Sequence, residues 1–304
     1  MKTLRKSTIA LAASSLLATS AFAQTAPAAE APEVSPITAN VTVTNDYRYR
    51  GLSQSNFKPA IQGGFDYAHE SGFYIGNWNS SISWISDSYS QSGSNSSYNT
   101  YNKSVSAPIE MDFYAGFKKE FIGEGFASDI GFLQYYYPTT GIPSTNGSTA
   151  NPNTSEIYAA QNFTFGPVTG FAKVSYAVST LFGTVNSTGS YYPDLTVNYD
   201  TGIWGMALNG HVGYQYVAGN IPTQNLSALG APSSVKSLSN SSLYTYTDWK
   251  LGVTKDFGGG LSGSLAYVGT NAKTAYGYYA YGNPSTPSKN LGKAGGLVSL
   301  TKTF

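Results

Sequence analysis

The sequence predicts an all-β fold, a closed antiparallel transmembrane β-barrel of about twelve strands. Charged residues make up 11% of the 304 residues and aromatic residues 14%, whereas soluble domains carry roughly 25% charged residues. After residue 23, no apolar run approaches the roughly 18 residues that a membrane-spanning helix needs. Several segments instead alternate apolar and polar residues, which is typical of a strand with one oily and one wet face.

The alternation is clear in residues 244–256, where Trp249 and Leu251 alternate with Asp248 and Lys250. Reversing the two faces would place Lys250 against lipid, at about 2–4 kcal/mol near the bilayer midplane. That cost decides which face points outward. Because hydrocarbon offers no partner for an unpaired sheet edge, the predicted sheet must close on itself.

The connections between strands alternate between short turns and longer segments rich in Ser, Asn, Gly and Pro. Short periplasmic turns and longer outer loops are typical of membrane barrels, so we expect both termini to be periplasmic. Ten or fourteen strands stay open as alternatives, because glycine-rich stretches blur some boundaries. The predicted strands are residues 38–50, 59–69, 73–86, 108–119, 125–137, 154–165, 167–181, 191–201, 203–218, 243–256, 260–271 and 290–304.

The N-terminal 23 residues predict a secretory signal peptide. Lys2, Arg5 and Lys6 precede an apolar run that closes on Ala21-Phe22-Ala23, and a basic start, an apolar core and a small-x-small end are what export requires. Cleavage after about Ala23 would leave 14 basic residues against 16 acidic ones. Nucleic acid is therefore not an expected partner, since it requires a clustered basic face.

The mature chain divides into two predicted parts. Residues 24–37 form an Ala/Pro-rich periplasmic lead, and residues 38–304 form the barrel in the outer membrane of a Gram-negative bacterium. The chain has no cysteine, which excludes disulfides and thiolate metal sites. No zinc or phosphate-binding motif is present, so no metal or cofactor is expected.

The C-terminal residue Phe304 places an aromatic ring on the lipid face of the last strand. Outer-membrane proteins typically end in this way, so the assembly machinery of that membrane is an expected partner, beside the lipid itself. Lys302 departs from the apolar pattern. It lies at the rim, however, where its stem can follow lipid while the ammonium reaches water.

The segment Asn45-Asp46-Tyr47-Arg48-Tyr49-Arg50-Gly51-Leu52-Ser53-Gln54-Ser55 resembles the opening of the TorF-like porins, a bacterial family. The likeness continues through residues 58–64 and 70–76. It implies a channel-forming outer-membrane barrel and does not name a solute.

Lumen-facing charges are the candidate selectivity residues. A ring of acids in a confined opening favours cations, so we expect a narrow pore for small hydrophilic solutes or ions with a weak cation preference. Balanced charges that only hold the wall together are the alternative. The candidates are Asp46, Arg48, Arg50, Glu110, Asp112, Glu156, Asp194, Asp248 and Lys250.

Two other classes of function stay open. An adhesin or structural barrel would bind a partner through its Ser/Asn/Tyr-rich loops while its lumen is closed. An outer-membrane hydrolase would need a base beside a nucleophile, and only His69 and His211 are available. We expect His69 in a turn and His211 as a lumen-lining side chain, so the chain is not predicted to be an enzyme. Residues 87–107 form either a constriction loop or a mobile surface loop.

Overall fold

Twelve long antiparallel strands pair in chain order, and the last pairs with the first, so the sheet closes into a barrel. The structure, a computed structural model, describes residues 35–89, 105–142, 151–221, 231–275, 278–283 and 289–304. The barrel strands are β1 Ile37–Thr44, β2 Ala60–Ala68, β3 Phe73–Ser81, β4 Ile109–Gly123, β5 Phe126–Tyr136, β6 Thr154–Phe165, β7 Val168–Ala177, β8 Tyr191–Asp200, β9 Met206–Gln215, β10 Tyr246–Gly258, β11 Leu261–Thr270 and β12 Gly295–Thr303.

The predicted fold class and the number of twelve strands are confirmed. Two boundaries differ in a way that bears on function. The first strand ends at Thr44 and not at residue 50, and β4 continues past residue 119 to Gly123 through a register shift between Glu120 and Gly123. The predicted signal peptide and most of the lead lie outside the described residues, as do residues 90–104 of segment 87–107, for which a constriction loop and a surface loop were the alternatives.

Regular structure outside the wall is short. Within the described residues the helices are Trp84–Tyr89 and Asn240–Tyr244. No helix in the described ranges is long and apolar enough to cross a bilayer. The described parts of the connections hold four small two-stranded pairs: Arg48–Tyr49 with Leu52–Ser53, Asn220–Ile221 with Leu238–Ser239, Thr274–Ala275 with Tyr278–Tyr279, and Gly282–Asn283 with Lys289–Asn290.

The outer face of the barrel is apolar, as the alternation predicts. Leu251 on β10 is 69% exposed and Ile61 on β2 is 65% exposed, although both are large apolar residues that a soluble protein would bury. The intervening residues point inward, and Asp248 and Gln62 are buried inside the barrel. The exterior therefore matches a lipid solvent, and the polar side chains line the interior.

Tyrosine rings lie across the inner wall over glycines of the neighbouring strand. The Tyr114 ring occupies the place that a Cβ at Gly76 would take, and its hydroxyl donates to Asp66 one strand further on. Tyr192 passes over Gly213 in the same way and donates to Asp248. Each such arrangement, here called a tyrosine–glycine tie, links three strands. These ties explain why a barrel without disulfides carries so much tyrosine and glycine. Tyr74, which passes over Gly116 and donates to Asp129, repeats the arrangement.

Apolar side chains also mark the short-turn end of the barrel. Each of these side chains is large, apolar and exposed, and the aromatic rings among them suit the interface between lipid headgroups and hydrocarbon. They are Phe121, Ile122, Phe165, Ile203, Trp204, Phe257 and Phe304.

Candidate functional site

Residues 45–59, here called the inner segment, connect β1 to β2 and fold into the barrel. The pair Arg48–Tyr49 and Leu52–Ser53 forms a hairpin, and Ser53 is fully buried. The wall residues that it contacts belong to the ends of strands nearest the long loops. The inner segment therefore occupies that half of the lumen.

Asp46 holds the inner segment together. Its carboxylate accepts hydrogen bonds from the Arg48 guanidinium, from the Ser53 hydroxyl at 2.6 Å and from the Ser55 hydroxyl at 3.1 Å. Ser55 also accepts from the Tyr47 backbone N–H at 3.0 Å. Because charge-assisted hydrogen bonds are strong in a low-dielectric interior, this network makes the inner segment one compact unit.

Two tyrosines of the inner segment bind the near wall. The Tyr47 hydroxyl donates to Glu110 on β4, and the Tyr49 hydroxyl donates to the Tyr135 hydroxyl on β5 at 2.7 Å. The Tyr47 ring packs edge-on against Trp78, with ring centroids 5.5 Å apart. Both rings combine apolar burial with a satisfied hydroxyl.

Arg50 attaches the inner segment to the far wall of the barrel. Its guanidinium donates to both carboxylate oxygens of Glu156 on β6, at 2.7 and 2.9 Å, and to the Gln215 side-chain oxygen on β9 at 2.6 Å. It also lies over the Tyr192 ring, 4.2 Å from the centroid. A planar guanidinium suits such an ion pair and ring stacking together. We call Arg50 and these three partners the Arg50 clamp.

Gly51 forms the tip of the hairpin, against β10 and β11. Its φ of +76° lies in the left-handed region, and a Cβ there would approach Thr270 Cγ2 to 2.5 Å and Asp248 Cβ to 2.7 Å. Glycine is therefore required both by conformation and by the close approach to the wall.

A family model described as a bacterial protein of unknown function, Gcw_chp, matches residues 28–304. The chain belongs to this family. The narrower likeness to the TorF-like porins stays a prediction. No curated protein matches the Gcw_chp chain.

Solved porin structures are similar to this Gcw_chp chain in fold. The NanC porin shares 9% identity at a TM-score of 0.48, covering 88% of this chain and 98% of that one. The KdgM porin shares 6% identity at a TM-score of 0.46, with the same coverage. OccD3 of Pseudomonas aeruginosa shares 12% identity at a TM-score of 0.38, covering 87% of this chain and 60% of that one. Such low similarity says nothing about solute or activity.

Four acids among the candidate selectivity residues point inward and are buried: Glu110, Asp112, Glu156 and Asp194. Glu110 accepts from Tyr47 and Tyr137, and Glu156 is held in the Arg50 clamp. Asp112 is 0% exposed, and neither of its carboxylate oxygens has a hydrogen-bond partner among the described residues. Glu110 and Glu156 are therefore already engaged within the protein, whereas the Asp112 carboxylate has no such partner among the described residues. The fourth acid, Asp194, is described next.

His211 on β9 lies between two carboxylates. Its Nδ1 is 3.0 Å from Asp194 on β8, and its Nε2 is 2.8 Å from Asp248 on β10. With both aspartates ionised, each carboxylate can only accept a hydrogen bond, so both ring nitrogens carry protons and the ring is an imidazolium. Neither nitrogen is then free to act as a base, which removes the mid-strand candidate for a hydrolase. The prediction that the chain is not an enzyme stays a prediction. His69 lies exposed at a turn, where its Nδ1 is hydrogen-bonded to the Ser71 hydroxyl at 2.9 Å.

A small cavity of about 60 Å³, partly open to solvent, lies against the inner segment. Its lining combines residues of the segment with polar residues of the wall, including Lys250, which pairs in register with His211. Candidate residues of the inner segment and of the wall therefore line the same cavity. The lining includes Asp46, Arg48, Arg50, His211, Asp248 and Lys250.

The predicted position of Asp46, Arg48 and Arg50 on the first strand is wrong. All three lie inside the barrel as expected, but on the inner segment. Tyr47 and Tyr49, which fall in the same predicted strand, are buried in the lumen. The polar–aromatic alternation of residues 45–50 continues that of β1, so periodicity gave no sign of the break. The dense charge at positions 46, 48 and 50, too concentrated for a strand end, was the available signal.

Proposed function

We propose that the chain is a porin-type channel of the Gram-negative outer membrane that carries small hydrophilic solutes or ions. The observation that supports it is a closed barrel with an apolar exterior and a polar, charged interior. The inner segment fills part of the lumen, so we expect a narrow pathway. A twelve-stranded barrel is in any case narrower than the 16- to 18-stranded porins.

The placement in the membrane forms part of this proposal. A signal peptide directs export, the short turns and both termini face the periplasm, and Phe304 is read by the assembly machinery. The exposed rings at the short-turn end would then anchor the barrel in the periplasmic leaflet.

The weak cation preference also belongs to the proposal and rests on the acids Glu110 and Asp112. Glu110 is hydrogen-bonded by two tyrosines, which partly shield its charge. The strength of any cation preference therefore depends on how much of the negative potential of these acids acts on ions in the pathway. Neutralising both residues, as Glu110→Gln with Asp112→Asn, is expected to reduce it.

Planar-bilayer recording of the refolded mature chain tests the proposal. We expect a small single-channel conductance and a reversal potential, in a salt gradient, displaced toward that of the cation. A clear anion preference would contradict the selectivity part. Absence of any conductance would favour the second candidate, a structural or adhesive barrel with a closed lumen. The observation in favour of this candidate is that the inner segment fills half of the lumen.

A further inference from the structure

We propose that the inner segment is a gate, held in its closed position by the Arg50 clamp and able to leave the lumen as a unit. This inference rests on the proposed channel function and concerns its regulation. Three observations support it: the internal cohesion of the segment, its strained backbone, and the small number of side chains that attach it to the wall.

The inner segment is cohesive enough to move without unfolding. The Asp46 carboxylate collects three donors from within the segment. Backbone hydrogen bonds close it further, from Gln54 N–H to the Tyr47 carbonyl at 2.8 Å and from Lys58 N–H to the Ser55 carbonyl at 3.1 Å. It lies outside the strand ladder, so its departure leaves every barrel strand paired.

The backbone of the inner segment is strained in the closed position. Arg50, Asn56 and Phe57 have φ values of 45°, 55° and 60°. Non-glycine residues are uncommon in this region and persist only where their surroundings hold them. At Arg50 those surroundings are the wall, through its hydrogen bonds to Glu156 and Gln215. Phe57, by contrast, is held inside the segment, where its N–H donates to Ser53 Oγ at 2.9 Å. Release of the Arg50 clamp would therefore relieve the strain at Arg50.

Asn45, which directly follows β1, bonds to β12 at the base of the inner segment. Beyond it, and within the described residues, only three side chains of the segment make polar contacts with the barrel wall: Tyr47, Tyr49 and Arg50. The two tyrosines contact strands on one side, whereas Arg50 alone reaches β6, β8 and β9. At the mouth, Ser53 N–H donates to the Leu291 carbonyl at 2.9 Å, and Arg48 donates to the Lys293 carbonyl at 3.0 Å. Those bonds join the segment to a loop, so they do not attach it to the wall.

Single-channel recording of Arg50→Ala gives the first test. We expect a several-fold rise in conductance, because the segment loses its attachment to the far wall. Glu156→Gln should raise conductance less, since the hydrogen bond to Gln215 and the ring stacking persist. Lys58→Ala is the matched control, because it removes an exposed cation of the same segment and should leave conductance unchanged. Equal conductance of wild type, Arg50→Ala and Glu156→Gln would overturn the gate.

Thiol labelling gives a second test that needs no conductance. The chain has no cysteine, so Ser53→Cys places a single thiol at a position that is 0% exposed. A water-soluble maleimide should label it slowly in the otherwise wild-type barrel and many-fold faster with Arg50→Ala. Each variant is first checked for the heat-modifiable gel mobility of a folded barrel, and Glu156→Gln replaces Arg50→Ala if that variant does not fold.

The two tests separate the gate from the channel. Faster labelling without conductance in any variant supports the mobile segment and contradicts the channel. Conductance with labelling that is equally slow in all variants supports the channel and overturns the gate.

Discussion

Replacing His211 with alanine is expected to lower the free energy of unfolding of the barrel by about 3–5 kcal/mol, the usual cost of removing one partner from a buried ionic network. The imidazolium satisfies Asp194 and Asp248 at once, and both carboxylates are almost completely buried. Without it, two negative charges face each other across β9. Urea unfolding in detergent micelles or lipid vesicles, followed by tryptophan fluorescence, measures the change.

The second histidine provides the control for this experiment. His69 lies exposed in the turn before β3, so His69→Ala should change the stability by no more than about 0.5 kcal/mol. His211→Arg keeps a positive charge at the site and should restore part of the loss. Equal, small effects of the two alanine substitutions would show that the His211 bridge does not hold the wall together.

Replacing Leu251 with arginine should destabilise the barrel by about 2–4 kcal/mol, because it places a charge on the lipid face near the bilayer midplane. Leu251 lies in the middle of β10 and is 69% exposed. In a soluble protein the same substitution at so exposed a site would change the stability little. The sign and size of the effect therefore distinguish lipid from water as the solvent of this face.

Phe257→Arg is the matched control, since Phe257 lies on the same strand and the same face at the short-turn end, and is 58% exposed. A charge at the membrane interface costs only about 0–1 kcal/mol. Unfolding of both variants from lipid vesicles should show this dependence on depth. A mild effect at Leu251 equal to that at Phe257 would argue against a membrane-embedded exterior.

The fold was predictable because it depends on periodicity and turn residues alone. In β10, Trp249 and Leu251 alternate with Asp248 and Lys250 along the strand, and only one parity is compatible with lipid. Because neighbouring strands follow each other in the sequence, the pairing order needed no long-range information.

The candidate site was predictable in residue type but not in position. Asp46, Arg48 and Arg50 were singled out, yet the placement of Arg50 depends on Glu156, a partner 106 residues away. A segment of alternating residues predicts a strand in either case, whether the chain continues along the wall or turns into the lumen. The tyrosine–glycine ties were missed for a related reason, since a glycine such as Gly213 has meaning only beside the ring of Tyr192.

Cysteine scanning along β10 of the cysteine-free chain, reconstituted in lipid vesicles, tests the alternating barrel wall most directly. Single cysteines at Lys250, Leu251, Val253 and Thr254 are treated with a charged and with a lipid-soluble maleimide. Thiols at positions 250 and 254 should react with the charged reagent, and those at 251 and 253 only with the lipid-soluble one. Labelling that does not change between neighbouring positions 250 and 251, or 253 and 254, would contradict a wall with one face in lipid and the other in the lumen.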